Sequence, residues 1–399
     1  MAVGKEFDVI IVGAGPIGSA TAERLAQASL RVALLEEHPQ VGLPNHCSGL
    51  VSLRTLKLAG IAEKAVGLAK FDCARVWSPG GKTLRLQSNS AQAIAIDRPR
   101  FDQMLAERAV EAGAHLFLGI RAHRFERVNG NIQVEAQTKN GSCRFYAPLL
   151  IGADGANSRV ARWMGREGKH EIIPAFKADI AFRNAGTDSI EIFVGNTIAP
   201  GLFGWVIPLQ DGTARVGIGV KETPRRYFEA FLDVVRHRFG DLTIIEQRGA
   251  TLPLGPAQSF VGEHVMLVGA AACQTKPTTG GGLYFGLRAA ELAATTAVEA
   301  IATGDFSDRL LSQYEQRWHH LDGRELVYGH WLRKLLLRLS DNDLDLIMQL
   351  LSIPFMQNQV QQLGDIDYPS HLFDRLISML RNWMTTTKIE REPFLAKEA

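Results

Sequence analysis

The chain has 399 residues, 46% hydrophobic and 22% charged, a composition typical of a globular protein with more than one domain. Lys and Arg total 44 and Asp and Glu total 42, so the net charge of +2 argues against a nucleic-acid partner. The four cysteines form no CxxC pair, which excludes a disulfide-stapled scaffold and gives no zinc-site spacing. We therefore expect no bound metal.

The amino terminus carries charged residues at Lys5, Glu6 and Asp8 and lacks the basic segment and long apolar stretch of a signal peptide. Nowhere in the chain do about 18 predominantly apolar residues run together, as a membrane-spanning helix requires. We expect a cytoplasmic protein, and peripheral contact with a membrane surface stays compatible with this sequence.

The first elements have the pattern of a strand, a turn, a helix and a second strand. Residues 7–12 form a nearly continuous apolar run, which is typical of a parallel strand buried on both faces. An Ala-rich segment at 19–28 predicts a helix, and residues 32–35 predict the next strand. This order is that of a doubly wound α/β domain.

Three glycines, Gly13, Gly15 and Gly18, form the pattern GxGxxG between the first strand and the helix. The first glycine permits a tight turn, the second lets a pyrophosphate approach the backbone, and the third lets helix and strand pack closely. Glu36 ends the next strand, where its carboxylate would accept hydrogen bonds from ribose hydroxyls and disfavour a 2′-phosphate. The pattern predicts a Rossmann-type domain that binds FAD or NAD.

Further along the chain the pattern predicts helices interspersed with hairpins. A charged stretch at 53–70 indicates a helix, residues 75–86 a hairpin, and residues 99–112 a second helix with apolar residues at helical spacing. Residues 115–151 favour several strands with turns at two Asn-Gly pairs.

From about residue 170 to 260 apolar residues alternate, as at Val216, Ile218 and Val220, which predicts an antiparallel sheet covered on one face. A buried strand at 265–269 and a long helix at 283–302 follow. The predicted organisation is a nucleotide-binding domain of residues 1–70, 98–165 and 260–304, an antiparallel β-rich substrate domain of residues 71–97 and 166–259, and a helical carboxy-terminal extension of residues 305–399.

Two stretches resemble motifs of the para-hydroxybenzoate hydroxylase-like flavoproteins, namely IGADGANS at 151–158 and DRPRFD at 97–102. More narrowly, the chain resembles the geranylgeranyl reductase family in the cysteine loop PNHCSG at 44–49, the strand WVIP at 205–208 and the helix start KPTTGGG at 276–282. The resemblance implies FAD as the cofactor, and it implies the reduction of isolated C=C bonds in a geranylgeranyl or other prenyl group.

The resemblance also implies roles for particular residues. Arg98 would lie near the phosphate and ribityl part of FAD, and the backbone of Ala122 would touch the adenine. Backbone N–H groups at the start of the long helix would face the pyrimidine edge, where a helix N-terminus stabilises the negative charge of reduced flavin. The implied cofactor-binding residues are Gly13, Gly15, Gly18, Glu36, Cys47, Gly49, Arg98, Ala122, Asp154, Gly281, Gly282 and Leu283.

One position departs from the family pattern. Residues 268–273 read VGAAAC where the family usually reads VGDAAG, so Ala270 replaces the aspartate that binds the ribityl chain, and Cys273 replaces a glycine. Loss of a hydrogen bond from a charged group costs about 1.5 to 3 kcal/mol. We therefore expect weakened FAD binding.

Reduction of a C=C bond by a flavin needs a hydride and a proton, and Cys47 is the candidate catalytic residue that donates the proton. A free thiol has a pKa of about 8.5 and is mostly protonated at neutral pH. The alternative is that Cys47 is a small packing residue beside the flavin. Trp205 and Pro208 are candidate substrate residues in the wall of an apolar tunnel, and the alternative is that they belong to the core of a sheet.

The resemblance implies a prenylated, lipid-like substrate as the partner. The sequence has no second dinucleotide motif, so the electron donor, NAD(P)H or ferredoxin, stays open at this point. A basic helix with an apolar face at 330–339 would either lie on anionic lipid or pack on its own protein. Two other functions stay open at this point. One is an FAD-dependent aromatic hydroxylase, a monooxygenase on the same fold, and the other is a flavin-free homologue that binds a prenyl lipid.

Overall fold

The computed structural model of the chain describes residues 5–166, 171–183, 187–256, 259–363, 365–368 and 370. The strands in this part of the chain are β1 (Lys5–Glu6), β2 (Val9–Val12), β3 (Val32–Leu35), β4 (Leu50–Ser52), β5 (Gly67–Phe71), β6 (Cys73–Trp77), β7 (Thr83–Gln87), β8 (Ala93–Ile96), β9 (His115–Phe117), β10 (Arg121–Val128), β11 (Asn131–Thr138), β12 (Gly141–Ala147), β13 (Leu149–Gly152), β14 (Glu171–Phe182), β15 (Ile190–Phe193), β16 (Gly201–Pro208), β17 (Thr213–Val220), β18 (Leu242–Leu254), β19 (Val261–Gly262) and β20 (Val265–Leu267).

The helices in the same ranges are α1 (Pro16–Gln27), α2 (Leu53–Ala59), α3 (Glu63–Val66), α4 (Arg98–Glu111), α5 (Arg159–Trp163), α6 (Pro224–Phe239), α7 (Leu283–Thr303), α8 (Asp308–Trp318), α9 (Arg324–Leu336), α10 (Asp341–Leu351) and α11 (Pro354–Leu363). A 3₁₀ turn at Gly269–Ala272 follows β20, and a π-helical turn at His319–Gly323 joins α8 to α9. None of these helices is both long and apolar enough to cross a membrane.

A central sheet with the strand order β19-β20-β13-β2-β3-β9 forms the core of the first domain. The strands from β20 to β9 in this order are parallel, and only β19 pairs antiparallel with its neighbour. Their carboxyl ends therefore lie along one edge, where ligands bind in open α/β sheets. The Rossmann-type prediction is confirmed.

A four-stranded sheet, β1-β12-β11-β10, lies beside the central sheet. Its antiparallel strands are joined by turns at both of the predicted Asn-Gly pairs. At the first pair, Asn129 and Gly130 both have positive φ, as a type I′ hairpin turn requires.

A seven-stranded sheet in the region predicted to bind substrate, which we name the substrate sheet, has the order β18-β14-β17-β16-β15-β6-β7. It is antiparallel except at the parallel pair of β15 and β6. The expectation that only one face is covered is wrong, because β17 is buried on both faces from Ala214 onward. Helix α6, which the sequence analysis did not predict, covers one face with Phe228, Phe231 and Val235. A small sheet, β4-β8-β5, covers part of the other face.

The stretch at 53–70, predicted as one helix, is two short helices followed by most of strand β5. Ser52 caps α2 by accepting a hydrogen bond from the N–H of Thr55, and α2 ends at Gly60, a residue of low helix propensity. From Gly67 onward the chain pairs with β8, so strand pairing overrides the local helical pattern.

The carboxy-terminal helices connect the two large sheets. Tyr314 of α8 donates a hydrogen bond to the carbonyl oxygen of Leu267 at the end of β20 (3.1 Å). In α9, the buried Arg333 donates two hydrogen bonds of 2.8 Å to Glu171 at the start of β14. Asp345 of α10 accepts from the N–H of Gly80 in the hairpin of β6 and β7 (2.9 Å). These bonds hold the helices across the junction of the two sheets.

Candidate active site

The glycine-rich turn joins β2 to α1 at the carboxyl edge of the central sheet. Gly13 has a φ of +101°, a conformation that favours glycine. A side chain at Gly18 would overlap the carbonyl group of Gly13, so the third glycine permits close packing. At Gly15, by contrast, a Cβ atom would meet nothing within 4 Å. The turn is therefore open at the second glycine, where a diphosphate would approach the N–H groups that begin α1.

Glu36 follows β3 and lies beside the glycine turn. One of its carboxylate oxygens accepts a hydrogen bond from the N–H of Ala14 (2.9 Å), and the other accepts from the N–H of His38 (3.0 Å). The segment that leads to Ala122 runs alongside, since the N–H of Ile120 donates to the carbonyl oxygen of Glu36 (2.8 Å). The structure thus brings the residues expected to hold the ADP part to one place.

Asp154 lies in the loop after β13, which packs against Gly13. Its carboxylate accepts hydrogen bonds from the hydroxyl of Ser158 (2.5 Å) and from the N–H groups of Arg159 (2.7 Å) and Val160 (3.3 Å). Burial raises the pKa of Asp154, and these hydrogen bonds oppose the rise. The carboxylate is therefore engaged within the protein, where it caps α5 and shapes the loop.

The start of α7 lies next to the start of α1. Gly282 precedes α7 and Leu283 is its first residue. A side chain at Gly286 would be 2.6 Å from the Cδ1 atom of Ile17, so the two helices are in close contact near their first turns. Gly282, like Gly15, has no side chain to accept hydrogen bonds from the first helical N–H groups. Two helix N-termini therefore offer backbone donors at the same edge.

The two residues that depart from the family pattern lie at the 3₁₀ turn after β20. Ala270 is half-buried there, and Cys273 has a φ of +52°, a region that favours the glycine found in the family. Burial raises the pKa of Cys273 to about 12, so the thiol is neutral. The side chain of Gln274 accepts from the N–H of Gly269 (2.7 Å), and this bond holds the turn.

The carboxyl edge of the central sheet, with the glycine turn and Glu36, is named the nucleotide edge. The Cys47 loop, residues 44–49, crosses from this edge to the substrate sheet. Lys177 of β14 donates a hydrogen bond from Nζ to the carbonyl oxygen of Cys47 (3.0 Å). Arg215 of β17 donates from Nη1 to the carbonyl oxygens of Ser48 (2.8 Å) and of Ile96 (2.9 Å). Gly49 has a φ of +71°, and a side chain there would overlap Nη1 of Arg215, so glycine is required at this position.

Positive charge surrounds the Cys47 thiol. Burial and the Asp102 carboxylate oppose its ionisation, but the Arg98 guanidinium, the N–H of Gly49 (3.3 Å from Sγ) and Lys177 together outweigh them and lower the pKa of Cys47. Arg98 in turn donates two hydrogen bonds to Asp102, at 3.2 and 3.1 Å, and the carboxylate raises the pKa of Arg98 against the effect of burial. The thiol is thus a stronger acid than the ordinary thiol assumed from sequence.

Trp205 and Pro208 of β16 lie on opposite faces of the substrate sheet, because side chains alternate along a strand. The Trp205 ring covers Gly217 of β17 and contacts the Phe203 ring at 5.9 Å between centroids. By the register of β14, β17 and β16, Lys177, Gly217 and Trp205 form a row across the sheet. Trp205 is therefore on the face that meets the Cys47 loop, and Pro208 is on the face covered by α6.

Sequence reasoning missed Lys177 and Arg215. Charged residues in an alternating strand indicate the solvent side of a sheet, and the sequence offers no sign that this side is covered. In the structure both residues are almost fully buried, at 4% and 6% exposure.

Comparisons with known proteins agree with this geometry. A family described as FAD binding domain matches residues 6–323. Digeranylgeranylglycerophospholipid reductase 1 from Methanococcoides burtonii is 31% identical over 94% of each chain. The digeranylgeranylglycerophospholipid reductase of Methanocaldococcus jannaschii is 30% identical over 86% of this chain and 90% of its own. The chain belongs to the geranylgeranyl reductase family of FAD-dependent oxidoreductases.

Solved structures support the same family. A geranylgeranyl bacteriochlorophyll reductase-like protein from Thermoplasma acidophilum aligns with a TM-score of 0.83 and 25% identity, over 93% of this chain and 99% of that protein. The p-nitrophenol 4-monooxygenase of Pseudomonas putida has a TM-score of 0.70 and 15% identity, over 90% of this chain and 97% of that protein, and shares the fold alone. The geranylgeranyl reductase resemblance is confirmed.

The residues at the carboxyl edge of this geranylgeranyl reductase-type chain fit FAD. The open space at Gly15 would admit a diphosphate, and Glu36 lies beside it for the ribose. The N–H groups that begin α7 can stabilise negative charge on a flavin ring. The half-buried Ala270 offers no polar group to the ribityl chain, which is the one contact of the family pattern that this chain lacks.

Proposed function

We propose that this protein is an FAD-dependent reductase of isolated C=C bonds in a geranylgeranyl or other prenyl group, carried on a lipid. The observation that supports this most directly is the position of the Cys47 loop. Arg98 of the FAD-binding edge lies on one side of it, and Lys177 and Arg215 of the Trp205-bearing sheet hold its other side. The names of the archaeal relatives, digeranylgeranylglycerophospholipid reductases, supply the class of substrate.

In this proposal each predicted residue except Pro208, which lies on the sheet face covered by α6, has a task. Gly13, Gly15, Gly18, Glu36 and Ala122 bind the ADP part of FAD, and Arg98 faces its phosphate and ribityl part. Asp154 shapes the loop beside Gly13, while Gly281, Gly282, Leu283 and Gly49 adjoin the flavin ring. When bound and reduced, FAD supplies the hydride. The Cys47 thiol donates the proton to the other alkene carbon, and Trp205 forms part of the apolar wall for the prenyl chain.

The division of the chain into FAD-binding, substrate and carboxy-terminal regions, with the boundaries given from sequence, belongs to the same proposal. Substrate enters between the first two regions. The electron donor is NAD(P)H or ferredoxin, and anaerobic mixing of the FAD-loaded protein with each donor, followed by flavin absorbance, identifies which one reduces it.

The test of the proposed function uses protein loaded with FAD and reduced chemically without oxygen. Addition of a digeranylgeranyl phospholipid is expected to reoxidise the flavin and to add two hydrogens per reduced double bond, as measured by mass spectrometry of the lipid. Protein in which Cys47 is replaced by Ala is expected to be much slower. Unchanged lipid after full reoxidation would contradict the proposal, and product formation only in oxygen would favour a hydroxylase.

We further propose that the protein meets its lipid substrate at a membrane surface through α9. Val327, Trp331 and Leu335 are spaced four residues apart and exposed on this helix, at 53%, 55% and 44%. Lys334 and Arg338 flank them. An exposed apolar stripe with basic neighbours is typical of a helix that lies on anionic lipid.

A further inference from the structure

Two buried cations of the substrate sheet reach the loop that carries Cys47. Lys177 lies on β14 and Arg215 on β17, and the strand register places both on the face opposite α6. Both side chains contact the loop through its carbonyl groups, at Cys47 and Ser48. Because the loop belongs to the nucleotide edge, these bonds join the two halves of the site.

The arginines near Cys47 have carboxylate partners, whereas Lys177 differs from them in this respect. Arg98 is paired with Asp102 at 3.1 Å, and Arg215 lies 3.8 Å from Asp179. On the neighbouring strand β18, Arg248 is paired with Glu246.

Lys177 has no carboxylate within ion-pair distance among the residues the structure describes; the hydrogen bond found for its ammonium goes to the carbonyl oxygen of Cys47. Burial lowers the pKa of Lys177, while Asp179 and, after it, an ionised Cys47 raise it, so the Cys47 thiolate is one of the anions that balance its charge.

We propose that Lys177 is a positioning residue for Cys47: its ammonium holds the Cys47 carbonyl and stabilises the thiolate that remains when the thiol gives up its proton. This inference rests on the proposed function. In the reaction, one alkene carbon receives the hydride with its electron pair and the other receives the proton from Sγ. The Lys177 ammonium, held at the Cys47 carbonyl oxygen, stabilises the thiolate left behind, and solvent returns the proton before the next turnover.

Arg98 is the strongest of the cations that lower the pKa of Cys47, and Lys177 adds a smaller contribution to it. The charge of Arg98 is offset by Asp102, and the hydrogen bonds of Arg215 are shared between the carbonyl oxygens of Ser48 and Ile96. Lys177 combines a buried charge with a direct bond to the residue that bears the thiol. Its effect on Cys47 is therefore expected to be larger than the effect of a distant cation.

The test measures the ionisation of Cys47 without turnover. The purified protein is treated with iodoacetamide across a pH series, and alkylation of the Cys47 peptide is quantified by mass spectrometry, since only the thiolate reacts. K177Q retains a hydrogen-bond donor and loses the charge, K177M loses both, and K177R retains both. We expect alkylation of Cys47 at pH 7 to fall about tenfold in K177Q and K177M, a shift of about one pKa unit, and to return toward the wild-type rate in K177R.

Two comparisons keep this result specific. Cys143 is half-buried on β12, in a different sheet from Lys177, so its alkylation in the same samples should be unchanged. K221M removes an exposed lysine just after β17 and should leave the Cys47 profile unaltered.

Two outcomes would overturn the proposal. In the first, both K177Q and K177M show the wild-type alkylation profile. In the second, K177M is altered but K177Q matches wild type, which indicates that Lys177 acts through hydrogen bonding alone. If Lys177 passes this test and the wild-type protein reduces no prenyl lipid, the proposed function fails and the Lys177–Cys47 coupling stands.

Discussion

At the scale of single residues, two glycines of one turn differ in what a side chain would meet. Gly15 has an ordinary φ of −64° and open space where a Cβ would lie, whereas a side chain at Gly18 would overlap the Gly13 carbonyl. Gly15, the second glycine of the motif, therefore serves the ligand, and Gly18, the third, serves the fold. The sequence motif alone does not distinguish these two demands in this chain.

Replacing each glycine by alanine separates the two roles. G15A is expected to leave the melting temperature nearly unchanged and to weaken FAD binding at least about tenfold, because the methyl group occupies the approach of the diphosphate. G18A is expected to destabilise the protein by about 1 to 3 kcal/mol through overpacking. Thermal unfolding of the FAD-free protein and fluorescence titration with FAD measure the two effects. Equal affinity in G15A and wild type would contradict the assignment of this turn to the diphosphate.

Restoring the family aspartate tests the departure at the 3₁₀ turn. A270D is expected to bind FAD about tenfold more tightly or better, since a hydrogen bond to a charged group contributes about 1.5 to 3 kcal/mol. A302D adds the same charge at an exposed position near the end of α7 and serves as the control. Titration of both variants with FAD gives the comparison. An unchanged dissociation constant in A270D would mean that the ribityl chain is held by other groups.

At the scale of elements, one ion pair fastens α9 to the substrate sheet. The Arg333 side chain, 4% exposed, donates two hydrogen bonds to Glu171, and these bonds lower the pKa of Glu171 against burial. A carboxyl group with a lowered pKa in the folded state stabilises the fold above its ordinary pKa, and this contribution is lost as the pH falls through the lowered value.

E171Q is expected to lower the free energy of unfolding by about 2 kcal/mol at pH 7, because Arg333 then lacks its charged acceptor. The difference from wild type should shrink as the pH falls toward the lowered pKa of Glu171. E107Q breaks the exposed pair of Arg100 and Glu107 and should change stability by less than about 1 kcal/mol. Urea unfolding at pH 7 and at a series of lower pH values measures both. A pH-independent difference for E171Q would contradict the role of its ionisation.

Elements with a local cause were predictable from sequence, and elements decided by distant neighbours were not. The turn at Asn129-Gly130 follows from the positive φ that these residues tolerate, and α4 begins where Asp97 accepts from the N–H of Arg100. Residues 67–71 became a strand because β8, which comes later in the chain, pairs with them. Lys177 and Arg215 were missed for the same reason, since their partners lie more than a hundred residues away.

At the scale of the whole molecule, α9 presents its exposed stripe on the surface that joins the two large sheets. A side chain at Gly329 of this helix would contact Pro277, and Nδ1 of His330 lies 3.2 Å from where a Cβ at Gly255 would be. Pro277 belongs to the loop that leads into α7, and Gly255 follows β18. A membrane under α9 would thus lie next to the loop that leads into α7 and to the end of β18.

Vesicle binding tests this surface. Wild-type protein is expected to sediment with vesicles that contain phosphatidylglycerol and far less with pure phosphatidylcholine. Reversal of two charges in K334E/R338E is expected to reduce the bound fraction at least about tenfold, since each basic residue near such a surface contributes about 1 kcal/mol. W331E should act in the same direction. I245E changes a residue that is 61% exposed on β18 and should have little effect. Equal loss in I245E, or no wild-type binding, would contradict the role of α9.

The order of the strands in the central sheet has a consequence for the newly synthesised chain. β20 pairs with β13, and the start of α7 contacts α1. Both β20 and α7, however, come after all strands of the substrate sheet along the chain. A ribosome must therefore complete the substrate sheet before the nucleotide edge has all of its parts. Nascent chains that end before β20 lack the turn at Ala270 and the second helix N-terminus, so FAD is expected to be acquired late in synthesis or after release.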